Sequence, residues 1–173
     1  SVYTIDDWKK INKSPTENYI LMNDLDFKNE GSSVYLSNSF SGKIDGNNHI
    51  IKNYIADIPL FNYLNKAKLE NIFFKNISLT KVTQSEYYSL LGKTTNTTIN
   101  NVHVKDININ INISSLANFY AAGLIGYSNG TSIENCSVTN LTINNTGIGG
   151  TINIGGIVGY SSSSRIENSY VQN

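Results

Sequence analysis

The sequence repeats a two-part unit, whose third copy reads Gly123-Leu124-Ile125-Gly126-Tyr127-Ser128 and then Ile133-Glu134-Asn135-Cys136-Ser137-Val138. Three further segments align with this copy without gaps. In each copy an anchor residue lies eight positions after the second residue of an apolar tetrad, and the four anchors are Leu69, Ile99, Ile133 and Ile166. Successive anchors are 30, 34 and 33 residues apart. A repeat of this length indicates a stack of similar coils.

Stacking the copies places apolar side chains in columns with the period of two that strands require. Two of these columns are Leu69, Ile99, Ile133, Ile166 and Phe74, Val104, Val138, Val171. The strands are short and are separated by Gly, Asn and Ser corners, which fits a parallel coil better than the antiparallel blades of a propeller. The sequence therefore predicts an all-β protein, a right-handed parallel β-helix (solenoid).

Asparagine is unusually frequent, with 27 of 173 residues. It disfavours ordinary strands but suits turns, and stacked Asn amides can form ladders at a spacing of about 4.8 Å. The alignment predicts such a structural ladder of Asn71, Asn101, Asn135 and Asn168. A second column is predicted at the next corner, from Asn76, Asp106 and Asn140.

The first 38 residues differ from the repeats. Residues 4–11 predict a short amphipathic helix with Thr4 as its N-cap and Trp8 on the apolar side. A strand is predicted next, over residues 19–27. Because a solenoid needs protection at its ends, we expect residues 1–38 to form an N-terminal helix-and-strand cap. Residues 39–173 are then the repeat domain, which we expect to be truncated at the C-terminus, since no comparable cap closes it.

Composition excludes several classes. The formal net charge is zero and the Lys residues are scattered, so no nucleic-acid partner is expected. The single cysteine, Cys136, cannot form an intrachain disulfide. No stretch of sequence is long and apolar enough to predict a membrane span.

The repeat resembles the GLUG motif of bacterial surface proteins, most clearly at residues 123–128 and 156–161. The stretch from Phe40 to Tyr54, with its Asp45-Gly46-Asn47-Asn48-His49 corner, is similar to the opening of such regions. The run from Ala67 to Val104 is in turn similar to the non-catalytic region of immunoglobulin A1-type zinc metallopeptidases.

These resemblances imply a non-catalytic module of a secreted or cell-wall-anchored bacterial protein. Its role would be a scaffold or substrate-positioning domain of such a peptidase, with a host immunoglobulin or glycan and other domains of the parent chain as partners. The alternative is an adhesin segment that binds a host protein or glycan. The zinc motif His-Glu-x-x-His is absent here, so no catalytic residue is carried over and zinc is expected only outside this chain.

Polar residues give no strong prediction of a metal or catalytic site. His49 and His103 are far apart in sequence, which does not suit zinc. Asp24, Asp26 and Asp45 could bind calcium, but a role in turns is favoured. Glu134 and Glu167 share an outward column and could form a glycosidase pair, although a solvated face is the favoured interpretation.

Aromatic residues beside the Gly corners are the predicted binding elements. The possible surface contacts are Tyr87, Tyr88, Phe119 and Tyr120. Tyr127 and Tyr160 occupy one column, where a stack that stabilises the wall is favoured over a contact for glycan or protein.

Overall fold

Parallel strands stack around one apolar core. A computed structural model describes residues 1–80, 86–112, 117–147 and 150–173. The described residues form helix α1 (Ile5–Lys10), two 3-10 helices (Ile11–Lys13 and Gly31–Val34) and the strands β1 (Asn18–Ile20), β2 (Leu25–Asp26), β3 (Leu36–Phe40), β4 (Lys43–Asp45), β5 (Ile50–Lys52), β6 (Ile55–Ala56), β7 (Phe61–Asn65), β8 (Lys68–Thr80), β9 (Tyr87–Tyr88), β10 (Leu91–Thr95), β11 (Thr98–Ile111), β12 (Asn118–Ala122), β13 (Ile125–Asn129), β14 (Ser132–Glu134), β15 (Ser137–Asn145), β16 (Thr151–Gly155), β17 (Val158–Ser162), β18 (Arg165–Glu167) and β19 (Tyr170–Gln172).

The strands form three walls. The first wall runs β1-β4-β8-β11-β14-β18, with β2, β5, β6, β15 and β19 in the same sheet. The second wall runs β3-β7-β10-β13-β17, and the third runs β9-β12-β16. The strand pairs are parallel in all three walls. The predicted parallel β-helix is thereby confirmed as a β-solenoid.

The predicted apolar columns fill the core. Ile99 pairs in register with Leu69 on one side and Ile133 on the other, and Ile133 pairs with Ile166. Leu69, Ile99 and Ile133 are at most 1% exposed, whereas Ile166 on the last rung is 44% exposed. Burial of each such side chain stabilises the fold by roughly 1.5–3 kcal/mol. The core is therefore continuous from rung to rung.

Asparagine and aspartate occupy the corners because the backbone there is left-handed. Asn71, Asn101, Asn135 and Asn168 have φ between 48° and 55°. In the second column, Asn76, Asp106 and Asn140 have φ between 55° and 59°. Asn and Asp tolerate this conformation better than other non-Gly residues, since their short polar side chains can form local hydrogen bonds. At each of these corners the long strands β8 and β11 change direction.

The N-terminal end is covered as the sequence predicts. Thr4 caps α1, its side chain accepting a hydrogen bond from the backbone N–H of Asp7, and the Asp7 side chain completes a capping box. Trp8 and Ile11 are buried. The predicted strand over residues 19–27 was wrong in its continuity: β1 pairs with β4 and β2 with β5, because the chain turns between them. The domain boundary at residue 38 stays a prediction.

Cys136 is expected to resist modification in the native protein. It is 1% exposed, and burial raises the pKa of its thiol to about 11. Because the thiolate is the reactive form, iodoacetamide at pH 7.5 should label the native chain negligibly and the urea-unfolded chain fully, as followed by mass spectrometry. Rapid labelling of the native chain would mean that the column containing Ile72, Val102 and Cys136 opens readily.

Candidate functional site: a tyrosine face on the second wall

Tyrosines and one lysine form a row along the outer side of the second wall. Ser39, Tyr63, Lys93, Tyr127 and Tyr160 pair in register on successive strands. The rings of Tyr127 and Tyr160 are stacked, with centroids 5.1 Å apart and planes at 17°. Lys93 Nζ lies 5.1 Å from the Tyr63 ring centroid and 5.6 Å from that of Tyr127. Cation–π attraction thus holds the lysine within the aromatic row.

Tyr120 joins this row from the third wall. Its ring meets Tyr127 and Tyr160 edge-on, with centroid distances of 5.4 and 5.7 Å. It also stacks with Tyr87 at 5.9 Å. Such pairs each contribute about 0.5–1.5 kcal/mol beyond burial of area. These contacts hold the tyrosine rings in a fixed arrangement relative to one another.

A second, uncharged polar row lies beside the tyrosines. Asn65, Thr95, Asn129 and Ser162 pair in register two positions further along the same strands. Their neighbours Leu64, Thr94 and Ser128 are buried, so alternation directs the polar row outward. We call the two rows, together with Tyr120, the tyrosine face. Lys93 carries its only charge.

The glycines of the repeat explain how this face is built. A Cβ on Gly126 would lie 2.9 Å from the Gly92 carbonyl oxygen and 3.2 Å from that of Tyr120. A Cβ on Gly159 would lie 2.9 Å from the Ala121 nitrogen. At Gly159 strand β12 therefore passes too close for any side chain. At Gly126 the neighbouring strand β10 excludes a side chain, and the Tyr120 carbonyl of β12 lies close by. That close approach brings Tyr120 onto the tyrosines that follow each glycine.

Two of the four predicted surface aromatics are buried. Tyr88 is 0% and Phe119 is 5% exposed, and their rings pack edge to face at 5.6 Å. This corrects their assignment as surface contacts. Phe119 points inward because side chains alternate along β12, where Tyr120 points outward, whereas Tyr88 is buried at a corner together with Ser89 and Leu90. Tyr87 and Tyr120 remain half-buried at the surface.

The predicted Asn ladder residues lie in one corner column, but their amide contacts differ along it. The Asn71 amide donates to Asp45 Oδ1 at 3.1 Å, and the Asn101 amide donates to Asn71 Oδ1 at 3.0 Å. Asn135 donates instead to Asn100 Oδ1 at 3.0 Å, because Asn101 Oδ1 lies 2.9 Å from His103 Nε2. Asn168 occupies the same left-handed corner on the last rung.

A polar cluster around His103 was not predicted from the sequence. His103 lies between Asn101 and Ser137, with Nδ1 2.8 Å from Ser137 Oγ, and its ring stacks on Phe73 at 4.9 Å. Burial lowers the pKa of His103, which favours neutral imidazole. The order Ser-His-Asn suggests a nucleophile, but Ser137 is only 5% exposed and closed to a substrate. The alignment of the repeats places Phe73, His103 and Ser137 in one column on neighbouring rungs, and this was the available signal in the sequence.

The described residues do not fit the zinc ion expected of a metallopeptidase. His49 Nδ1 lies 3.0 Å from Asp24 Oδ1, whereas His103 is engaged elsewhere. Among residues 1–80, 86–112, 117–147 and 150–173, no three His, Cys, Asp or Glu side chains are grouped to hold a metal. No helix within these ranges could span a membrane.

The carboxylates of the first wall have local partners. Glu134 and Glu167 pair in register, as the alignment predicts. Glu134 Oε1 accepts from Ser132 Oγ at 2.8 Å, and Glu167 forms an ion pair with Arg165. In the same row, burial would raise the pKa of Glu70, but hydrogen bonds from Lys43 and Lys68 outweigh it and lower that pKa. This row has the character of an ion-paired surface.

Comparisons with known proteins show which families this chain is similar to. Residues 117–144 and 150–173 match the GLUG motif, and no curated protein matches the chain. A solved structure of a candidate immunoglobulin A1 protease from Bacteroides ovatus aligns with a TM-score of 0.46 and 14% identity, covering 98% of this chain and 74% of that one. Residues 6–106 match the M26 IgA1-specific metallo-endopeptidase N-terminal region. Because that match covers more than half of the sequence, the chain belongs to the family of M26 N-terminal regions.

Proposed function

We propose that this chain is a non-catalytic scaffold of an extracellular bacterial peptidase, secreted or anchored to the cell wall. In this role it holds immunoglobulin A1 as the substrate for cleavage elsewhere in the parent protein. The family match over residues 6–106 carries the proposal. The solenoid supports it physically: β8 and β11 pair over eleven residue positions, from Lys68 to Thr80. A wall with that many in-register pairs is stiff enough to fix a bound partner in position.

Binding of human immunoglobulin A1 to the immobilised chain tests this function. The expected result is saturable binding, with the immunoglobulin heavy chain intact on a denaturing gel after overnight incubation. Immunoglobulin G serves as the ligand control, and the urea-unfolded chain serves as the protein control. Cleavage of the heavy chain by this chain alone, or equal binding of both immunoglobulins, would contradict the proposed role.

A second candidate function is an adhesin segment. The tyrosine face favours it, because half-buried tyrosines that are held by ring contacts supply contact area at little cost in conformational entropy. On this interpretation the chain binds a host protein or a glycan directly.

A further inference from the structure

We propose that the tyrosine face binds a linear, neutral polysaccharide that lies along the solenoid axis. The proposal deepens the second candidate function and is independent of the scaffold role. It starts from the combination of a tyrosine-rich row and an uncharged polar row, side by side on one wall. A sugar ring has the matching character, with apolar C–H groups on its faces and hydroxyl groups at its rim.

The polar groups of the face are available to a ligand. Within the described part of the chain, the side chains of Asn65, Thr95, Asn129 and Ser162 take part in no hydrogen bond. The same holds for the hydroxyl groups of Tyr127 and Tyr160. Amide and hydroxyl groups both donate and accept, so they can pair with sugar hydroxyls in either sense.

The dimensions of the face favour a long ligand over a short branch. The row crosses five adjacent strands from Ser39 to Tyr160, and four spacings of about 4.8 Å make it about 19 Å long. Its contacts repeat at the same interval along the whole length. A linear polymer of sugar rings can use such a periodic surface, whereas a single terminal sugar would contact one or two strands.

Other classes of ligand fit less well. Strands β7, β10 and β13 are paired on both sides, so this part of the wall offers no edge for an added peptide strand. A nucleic acid requires several cations against its phosphates, but Lys93 is the one charge here. Protein interfaces are depleted of Lys and Ser at their centres, whereas Lys93 lies in the middle of the row.

Affinity electrophoresis of the 173-residue chain tests the proposal. Native gels contain barley β-glucan, konjac glucomannan or glycol chitin as linear neutral polysaccharides, and heparin as the polyanion. We expect migration to be retarded by at least one neutral polysaccharide, equally at 0.05 and 0.3 M salt. Tyr160→Ala and Asn129→Ala should each weaken that binding by about tenfold, because each removes one contact from an exposed row.

The control is Tyr3→Ala, which removes a tyrosine that is also exposed but lies at the N-terminal end. It should bind like the wild type. Tyr3→Ala and Asn129→Ala should keep the wild-type melting temperature within about 2 °C, whereas Tyr160→Ala, which loses two ring pairs, should melt several degrees lower and still be fully folded at the temperature of the gel. Absence of retardation by all three neutral polysaccharides, or retardation by heparin alone that vanishes at 0.3 M salt, would overturn the proposal. Neither outcome affects the scaffold role, which is tested by binding of immunoglobulin A1.

Discussion

Replacing Trp8 by alanine should lower the free energy of unfolding by about 3–5 kcal/mol, the largest effect we expect from a single substitution. Trp8 is fully buried between the solenoid and its N-terminal helix, with ring centroids 5.6 Å from both Phe27 and Phe61. Its Nε1–H donates to the Val34 carbonyl oxygen at 2.8 Å. Alanine would leave a cavity and an unpaired buried carbonyl group. Urea unfolding followed by circular dichroism measures the loss.

Two further variants separate the contributions. Trp8→Phe keeps an aromatic ring but loses the hydrogen bond, so it should cost less, about 1–3 kcal/mol. Tyr3→Ala, which is exposed in the same segment, should change stability by less than about 0.5 kcal/mol. Because repeat proteins can unfold locally, hydrogen exchange should show the loss of protection in β1 to β4 first. A Trp8→Ala protein as stable as the wild type would mean that α1 is not packed on the core.

The stacking of the coils was predictable because their apolar columns repeat with little variation. The repeat spacing places Ile99 beside Leu69 and Ile133, and the structure has this register. The N-terminal helix was predictable for a similar reason, since Thr4 and Trp8 give local signals that need no tertiary information.

The fine structure of the candidate site was not predictable, because it depends on contacts between walls. Tyr88, Ser89 and Leu90 are all buried at a corner, where the alternation of a strand no longer applies. Sequence pattern therefore cannot tell which of Tyr87 and Tyr88 faces outward. Likewise, the contact of Tyr120 with Tyr160 joins residues forty positions apart on different walls.

The corner asparagines combine both situations. The alignment predicts their column but not their left-handed backbone. It also does not predict that the Asn135 amide donates to Asn100 and not to Asn101, whose Oδ1 is already in contact with His103. The polar row of the tyrosine face is a different case. Asn65, Thr95, Asn129 and Ser162 each lie four positions before an anchor, so the alignment already places them in one column. Their mixture of Asn, Thr and Ser is ordinary for a repeat corner, so the column alone does not indicate a binding surface.

Replacing Asn101 by alanine should cost about 2–4 kcal/mol, whereas glycine at the same position should cost about 1 kcal/mol less. Asn101 has φ 55°, a conformation that costs alanine about 1–2 kcal/mol and glycine almost nothing. Both substitutions lose the hydrogen bonds to Asn71 and His103, which contribute about 0.5–1.5 kcal/mol each. Urea unfolding of the two variants gives the difference directly.

This order is the reverse of the one found in regular strands, where glycine is the more destabilising residue. Lys105 provides the matched control, because it is exposed in the same strand β11 and has ordinary backbone geometry. There Lys105→Gly should be less stable than Lys105→Ala. If glycine is the worse substitution at both positions, the left-handed corner is not what makes asparagine favourable at residue 101. The hydrogen bonds of the amide ladder would then be the sole reason for the asparagine columns. In that case the alanine and glycine variants of Asn101 should differ in free energy of unfolding by the same amount as the alanine and glycine variants of Lys105.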